Sequence, residues 1–216
     1  MVSSACQRSN FQRYEPVSTP TPLQEPVETS PEPSSIVEPA LPLPEPLPPS
    51  GPGPIFQECE KDSARHMVAE LFVLEPNTSR LPDFSPLTSV KTVCLINLNI
   101  TDRDFKEGFP GVDGLIEWFA LNIRFKLLVP QTGNYEFFLN SDDGSRLFIN
   151  EKEYIDNDGT HSQIMRSVVV ALTAGTHLVR VPYFQGPRYN IALELQWKGP
   201  NDKEKNYLPL NQIQRP

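Results

Sequence analysis

The chain has 216 residues, a formal net charge of −8 and 24 prolines. That acidic balance excludes nucleic acid as an expected partner, because neutralising phosphates needs clustered Lys and Arg. No run reaches the ~18 apolar residues of a membrane-spanning helix, and the first thirty residues hold no apolar core of an export signal.

In chain order, the first segment is residues 1–13. It opens Met-Val-Ser-Ser-Ala-Cys-Gln. Small residues before Cys6 and a long polar stretch after it resemble the lipobox that closes a bacterial lipoprotein signal. The resemblance implies a lipidated Cys6, membrane attachment through it, and a place in the cell envelope or on the outer surface. Ser3 stands where that family prefers Leu, and the charged and apolar parts of the signal are missing. The expectation is therefore a chain that starts within its signal; the competing reading is an unstructured terminus with a stray thiol. Cys59 and Cys94 remain, and an oxidising compartment would let them pair. Sequence does not tell whether their Cα atoms approach closely enough.

Residues 14–54 hold fourteen of the prolines and six Glu, with no Lys or Arg. Proline removes backbone donors and fixes φ, so neither helix nor sheet is expected. The sparse Leu and Val cannot bury a core that offsets the ordering entropy. A disordered, semi-rigid Pro/Glu-rich linker of polyproline type follows, at ~3 Å per residue. It reads as a stalk. A proline-rich ligand for partner domains is the weaker reading, since no basic residues flank the repeats.

From residue 55 to 216 the pattern changes to period two. In Trp118 to Val129, Phe119, Leu121, Ile123, Phe125, Leu127 and Val129 share one face, as a half-buried strand requires. Upstream, Val90, Thr92, Cys94, Ile96, Leu98 and Ile100 read as one strand with a common face. Tyr135, Phe137 and Leu139 form another inward set, and Leu147 and Ile149 a short one. Val168, Val170 and Leu172 lead to Thr-Ala-Gly-Thr, residues 173–176, which by composition is a hairpin turn. His177, Val179, Val181 and Tyr183 return along the expected partner strand. Ile191, Leu193, Leu195 and Trp197 close the series, with Trp197 expected in the core. Pro182 inside a strand pattern predicts an edge or a bulge. Many short strands and no helical period predict an all-β, antiparallel sandwich or barrel.

Within this region QTGNYEFFLNSDDGSRLFINEKEYIDNDG, residues 131–159, and LTAGTHLVRVPYFQGPRYNIALELQW, residues 172–197, resemble the anthrax protective antigen 14-kDa domain family. The resemblance runs from about Met67 to the C-terminus and is specific from Pro130 to Trp197. It implies an antiparallel β-barrel or sandwich that serves adhesins, glycosidases, toxins and surface proteins, generally as a carbohydrate-binding part. In calcium-dependent members two consecutive Asp, often joined by a cis peptide, hold Ca²⁺. That motif falls on Asp142 and Asp143. A further oxygen comes from a later loop, here residues 183–190, where Gln185 is the first candidate ligand and Asn190 the second. Arg188, Tyr189 and His161 complete the expected ligand-binding rim. The implied partner is a glycan or glycoconjugate.

The chemistry of the pair is sound without the family. Ca²⁺ takes six to eight oxygens from carboxylates, amides, carbonyls and hydroxyls, and sugar diols can complete such a shell. Adjacent carboxylates on a strand point to opposite faces, so both reach one ion only across a bend or a cis bond. Gly144 supplies backbone freedom directly after them. The plain alternative is a turn, because Ser-Asp-Asp-Gly-Ser is good turn chemistry. Asp156-Asn157-Asp158-Gly159 resembles the start of an EF-hand loop but lacks the later Glu, so a tight hairpin turn is the expected role. His66, His161 and His177 make no metal spacing, and no Gly-x-Ser-x-Gly elbow is present. The chain is accordingly read as a non-enzymatic surface module that binds glycans, with or without Ca²⁺. The alternative is a structural or protein-interaction domain of a bacterial envelope.

Overall fold

The computed structural model describes residues 56–59, 64–104, 115–188 and 190–216. The expectations for Cys6, for the 14–54 linker and for Tyr189 lie outside these residues.

The chain forms β1 (Phe56–Glu58), β2 (Met67–Val73), β3 (Lys91–Leu95), β4 (Asn99–Asp104), β5 (Phe119–Val129), β6 (Gly133–Asp142) and β7 (Ser145–Ile149). It continues through β8 (Lys152–Asn157), β9 (Ile164–Leu172), β10 (Gly175–Gln185), β11 (Asn190–Lys198), β12 (Asn206–Tyr207) and β13 (Ile213–Gln214), with a short 3₁₀ turn at Leu210–Gln212. The strands make two antiparallel sheets. One runs β1-β3-β2-β5-β10-β7-β8, with β13 also on β5; the other runs β12-β11-β6-β9, with β4 also on β11. The all-β class, with two antiparallel sheets closing on one core, is as expected from the alternation.

That core is the set of inward faces. Phe119, Leu121, Ile123, Phe125 and Leu127 of β5 meet Tyr135, Phe137 and Leu139 of β6 and Val179, Val181 and Tyr183 of β10, all buried. Trp197 stacks on Tyr135 at 4.9 Å between ring centroids, so it is a core residue. The burial of this many aliphatic and aromatic side chains, each worth ~1.5–3 kcal/mol, is what drives the two sheets together.

Three local expectations are corrected. Residues 90–100 are two strands in different sheets, because the chain turns between Leu95 and Asn99. Val93 and Leu95 face the core, while Val90 and Thr92 are exposed. Cys94 is buried on the other face, bonded to Cys59 with a Cα separation of 5.0 Å. Second, Thr173 to Thr176 is no hairpin: β9 belongs to one sheet and β10 to the other, and the turn is a corner between them. Third, Pro182 sits on an interior strand, opposite Asn122 of β5. The ladder from β10 to β7 is interrupted at residues 181 and 182, where proline has no N–H to give.

Outside the core, the segment joining β2 to β3 folds over the outer face of the larger sheet. Leu74, Ala120 and Phe184 form a second apolar cluster there, joined by Leu81, Phe84 and Trp118.

Candidate functional site

Strand register brings three sheet-to-sheet crossings to one end of the molecule. Asp142 ends β6 in the smaller sheet, and Ser145 begins β7 in the larger, so Asp142, Asp143 and Gly144 are the first crossing. Residues 158–163 carry the chain back from β8 to β9, and residues 186–189 carry it from β10 to β11. Cα pairs Ser145–Asn157, Tyr183–Ser145, Ser141–Ile164 and Ala192–Asp142 hold these crossings side by side. Their outer surface encloses a hollow of about 410 Å³, lined by Asp142, Asp143, Thr160, His161, Arg188 and Asn190, with Ser162 and Pro187.

The peptide between Asp142 and Asp143 is cis. Both side chains are largely buried, Asp142 at 9% and Asp143 at 3% exposure. Asp143 is fully engaged. Its Oδ1 accepts from the His161 backbone N–H at 3.0 Å and its Oδ2 from Gly186 N–H at 2.8 Å. Burial raises its carboxyl above the ordinary range, and the two N–H donors and His161 oppose that rise. Asp142 accepts from the Gln163 backbone N–H, yet burial, then Asp143, then Asp102, push it up to about 6. An ionised Asp142 thus stands beside Asp143 with too little positive charge around it.

Behind the pair lies a buried polar brace. Ser141 Oγ and Ser145 Oγ are 2.6 Å apart, and Asn157 Nδ2 donates to Ser141 Oγ at 3.0 Å and to the Ile164 carbonyl at 2.9 Å. The Tyr183 hydroxyl lies 2.8 Å from the Asp142 carbonyl oxygen. Gly144 is required on steric grounds: a Cβ there would stand 2.4 Å from the Phe184 ring and 2.8 Å from Gly159 N.

The expected site residues divide. Asn190 lines the hollow, and its Nδ2 donates to Asp102 Oδ1 at 3.1 Å, which leaves the amide oxygen as the end able to ligate. Arg188 lines the rim beside Glu117. The His161 ring nitrogens each lie 2.9 Å from a carbonyl, of Ser162 and of Asn157, so His161 shapes the wall. Gln185 does not face the hollow. It is fully buried, its Oε1 is 2.5 Å from the Tyr183 hydroxyl, and its Nε2 donates to the Pro187 and Asn190 carbonyls. The signal was available, because Gln185 continues the inward parity of Val179, Val181 and Tyr183. Asp102 carries no signal in the sequence, and Ser141, Ser145 and Asn157 read there only as turn residues; the brace they form depends on contacts between separate strands.

Asp156 to Gly159 is neither an EF-hand loop nor a hairpin turn. Asp156 Oδ1 accepts from Asp158 N–H, and Asp158 Oδ1 accepts from Gly159 N–H at 2.9 Å and from Leu81 N–H at 2.7 Å. The Asp158 Oδ2 pairs with Arg146 at 2.9 Å. This stretch pins the overlying 74–90 segment to the sheet. Among the described residues, no three of His, Cys, Asp and Glu gather into a metal-binding group. An ion here would be held by two carboxylates with amide, carbonyl and ligand oxygens, a hard donor set that suits Ca²⁺.

Residues 117–209 match the sequence profile of the PA14 domain family. This part of the chain is a PA14 domain. Solved PA14 domains share its fold. The PA14 sugar-binding domain from an RTX adhesin aligns at 14% identity and a TM-score of 0.57, over 71% of this chain and 100% of that one. The PA14 domain of the MpAFP antifreeze protein aligns at 15% identity and 0.56, over 74% and 96%. An anti-sigma factor domain-containing protein aligns at 21% identity and 0.56, over 71% of this chain and 49% of that one; the chain spans about half its length. No curated protein sequence matches this chain.

Proposed function

We propose that this PA14 domain is a carbohydrate-binding module whose glycan sits in the hollow at the sheet crossings, over a Ca²⁺ held by Asp142, Asp143 and Asn190. One observation carries the reading. Two adjacent carboxylates, joined by a cis peptide, line a single hollow with the Asn190 amide, and burial, then the neighbouring Asp143, push the pKa of Asp142 up to about 6. A divalent cation supplies opposing positive charge, and vicinal hydroxyls of a sugar complete its oxygen shell. The PA14 sugar-binding domain of the RTX adhesin, similar in fold, supports the ligand class. The proposed setting is the cell surface, with the 14–54 stretch as a stalk and Cys6 as a lipid anchor.

The test is a glycan array run with Ca²⁺ and with chelator, alongside calorimetric titration with the ion. Binding that disappears on chelation supports the reading. No heat with Ca²⁺ and blank arrays in both conditions would sink it.

One observation favours a second reading. Both oxygens of Asp143 already accept backbone N–H groups, so the pair also works as an internal strut. A PA14 domain using it only so would serve as a structural or protein-interaction piece of an envelope, and blank arrays with a co-purifying envelope protein would support that.

A further inference from the structure

The outer face of the larger sheet carries a second hollow, which shares no lining residue with the one at the Asp142–Asp143 crossing. It lies between residues 81–85 of the overlying segment and strands β5, β7 and β10, and measures about 260 Å³. Its walls include Phe84, Asn122, Arg146, Phe148, Arg180 and Pro182. The volume falls just under the ~300–1,000 Å³ of small-molecule sites, a size for one ring.

Two polar groups in it are unmatched. Asn122 is 93% buried, being 7% exposed. Its Nδ2 donates to Glu70 Oε2 at 3.2 Å, but its Oδ1 is buried with no partner. Buried acceptors are normally paired, so this one awaits a donor. Arg180 is the other. Arg124, directly across from it on β5, pairs with Glu70 at 2.9 Å, and Arg146 pairs with Glu153, Asp156 and Asp158. Among the described residues Arg180 has no such carboxylate. Its guanidinium instead lies 3.8 Å from the Phe148 ring centroid, which orients the fork without neutralising it. Burial, then Arg124 and Arg146, lower its pKa from the ordinary value, against a smaller opposing influence of Glu151 and Glu153. The carboxylate lining the hollow, Asp83, is engaged by the N–H and hydroxyl of Ser85. Asp158 holds both Leu81 and Arg146, so the hollow is preformed.

We propose that this hollow binds an acidic monosaccharide unit of the hexuronate type, its carboxylate on the Arg180 guanidinium and a ring hydroxyl donating to Asn122 Oδ1. The C–H face of the ring packs on Phe84 and Pro182. A planar, bidentate donor selects a carboxylate, a lone buried acceptor selects a hydroxyl, and the aromatic wall selects a ring. The site is independent of Ca²⁺ and of the crossing hollow, and it stands whether or not that hollow binds sugar.

The test uses the full chain in excess chelator, titrated with glucuronate and, as neutral control, glucose, and followed by amide chemical shifts. The expected result is saturable shifts centred on residues 81–85, Asn122 and Arg180 with glucuronate, at least tenfold weaker with glucose. Arg180→Gln should cut glucuronate affinity tenfold or more with an unchanged melting temperature, whereas Asp142→Asn should leave it as it is. Equal response to the two sugars, shifts confined to other surfaces, or full affinity in Arg180→Gln would overturn the proposal. The wild-type comparison of the two sugars decides it even if the variant misfolds.

Discussion

The backbone nitrogen of Gly186 donates to Asp143 Oδ2 at 2.8 Å across 43 residues of sequence. With His161 N–H on the other oxygen, a single carboxylate ties all three sheet crossings together. Asp142, its neighbour through the cis bond, accepts only one backbone N–H and is pushed up to about 6. One member of the pair holds the architecture; the other carries the unbalanced charge.

Replacing the two should therefore have opposite consequences. Asp143→Ala strands two buried N–H groups and should cost about 2–4 kcal/mol, a fall of roughly 5–15 °C in melting temperature for a domain of this size. Asp142→Asn removes a destabilising charge, so the ion-free protein should melt no lower than the parent, while its stabilisation by Ca²⁺ disappears. Thermal melts with and without the ion check both.

Stability should depend on pH through Asp142, with a definite sign. A carboxyl raised above its unfolded value of ~3.9 contributes stability that is fully present below that value. The contribution is lost as pH rises through about 6. The ion-free protein should thus lose melting temperature between about pH 4 and pH 7 relative to Asp142→Asn. Ca²⁺ should restore it at pH 7 and bind more weakly below pH 6. Parallel melts of the two proteins over this range measure the difference; identical profiles would remove Asp142 as the titrating group.

Two glycines separate steric need from backbone need. Gly144→Ala drives a methyl to 2.4 Å from the Phe184 ring and 2.8 Å from Gly159 N, and should cost about 1–3 kcal/mol. Gly175 has φ +125° and nothing within 4 Å of an added Cβ, so Gly175→Ala should cost only the backbone term, about 1–2 kcal/mol. Denaturant unfolding compares the two. In addition, the Gly144 variant should broaden amide signals of 158–161, and the Gly175 variant should leave them sharp.

The Cys59–Cys94 bond closes a loop of 35 residues. Loops of this length give about 3–4 kcal/mol when cross-linked. The Cys59→Ala, Cys94→Ala double variant should lose about that much in denaturant unfolding, and adding reductant should bring the parent to the same value.

Legibility in the sequence followed how local each constraint was. The core face of β5 could be read directly, since every second residue from Phe119 to Val129 is buried; the burial of Ala120 and Asn122 on the other face, under the 74–90 segment, could not. Residues 90–100 could not, because alternation is blind to a change of sheet, and Cys94 is buried against Cys59 rather than in the core. Thr173 to Thr176 shows the same limit: a corner between sheets and a hairpin ask for the same turn residues. Asp142, Asp143 and Asn190 stood out by motif, and they do line one hollow. At Gln185 the motif points to a ligand and the parity of its own strand points inward, and the side chain follows the parity. The role of Asp158, which reaches Leu81 from 77 residues away, has no local signature at all.

The last strand has a consequence for how the molecule is made. β13 lies against β5 at Leu127 and Lys126, in the lane that β2 leaves beyond Arg124, and the Ile213 carbonyl is 2.7 Å from His66 Nδ1. A nascent polypeptide emerging from the ribosome therefore cannot seal this seam until Ile213 is clear of the exit tunnel. Until then the side of β5 from Lys126 onward stays an open edge.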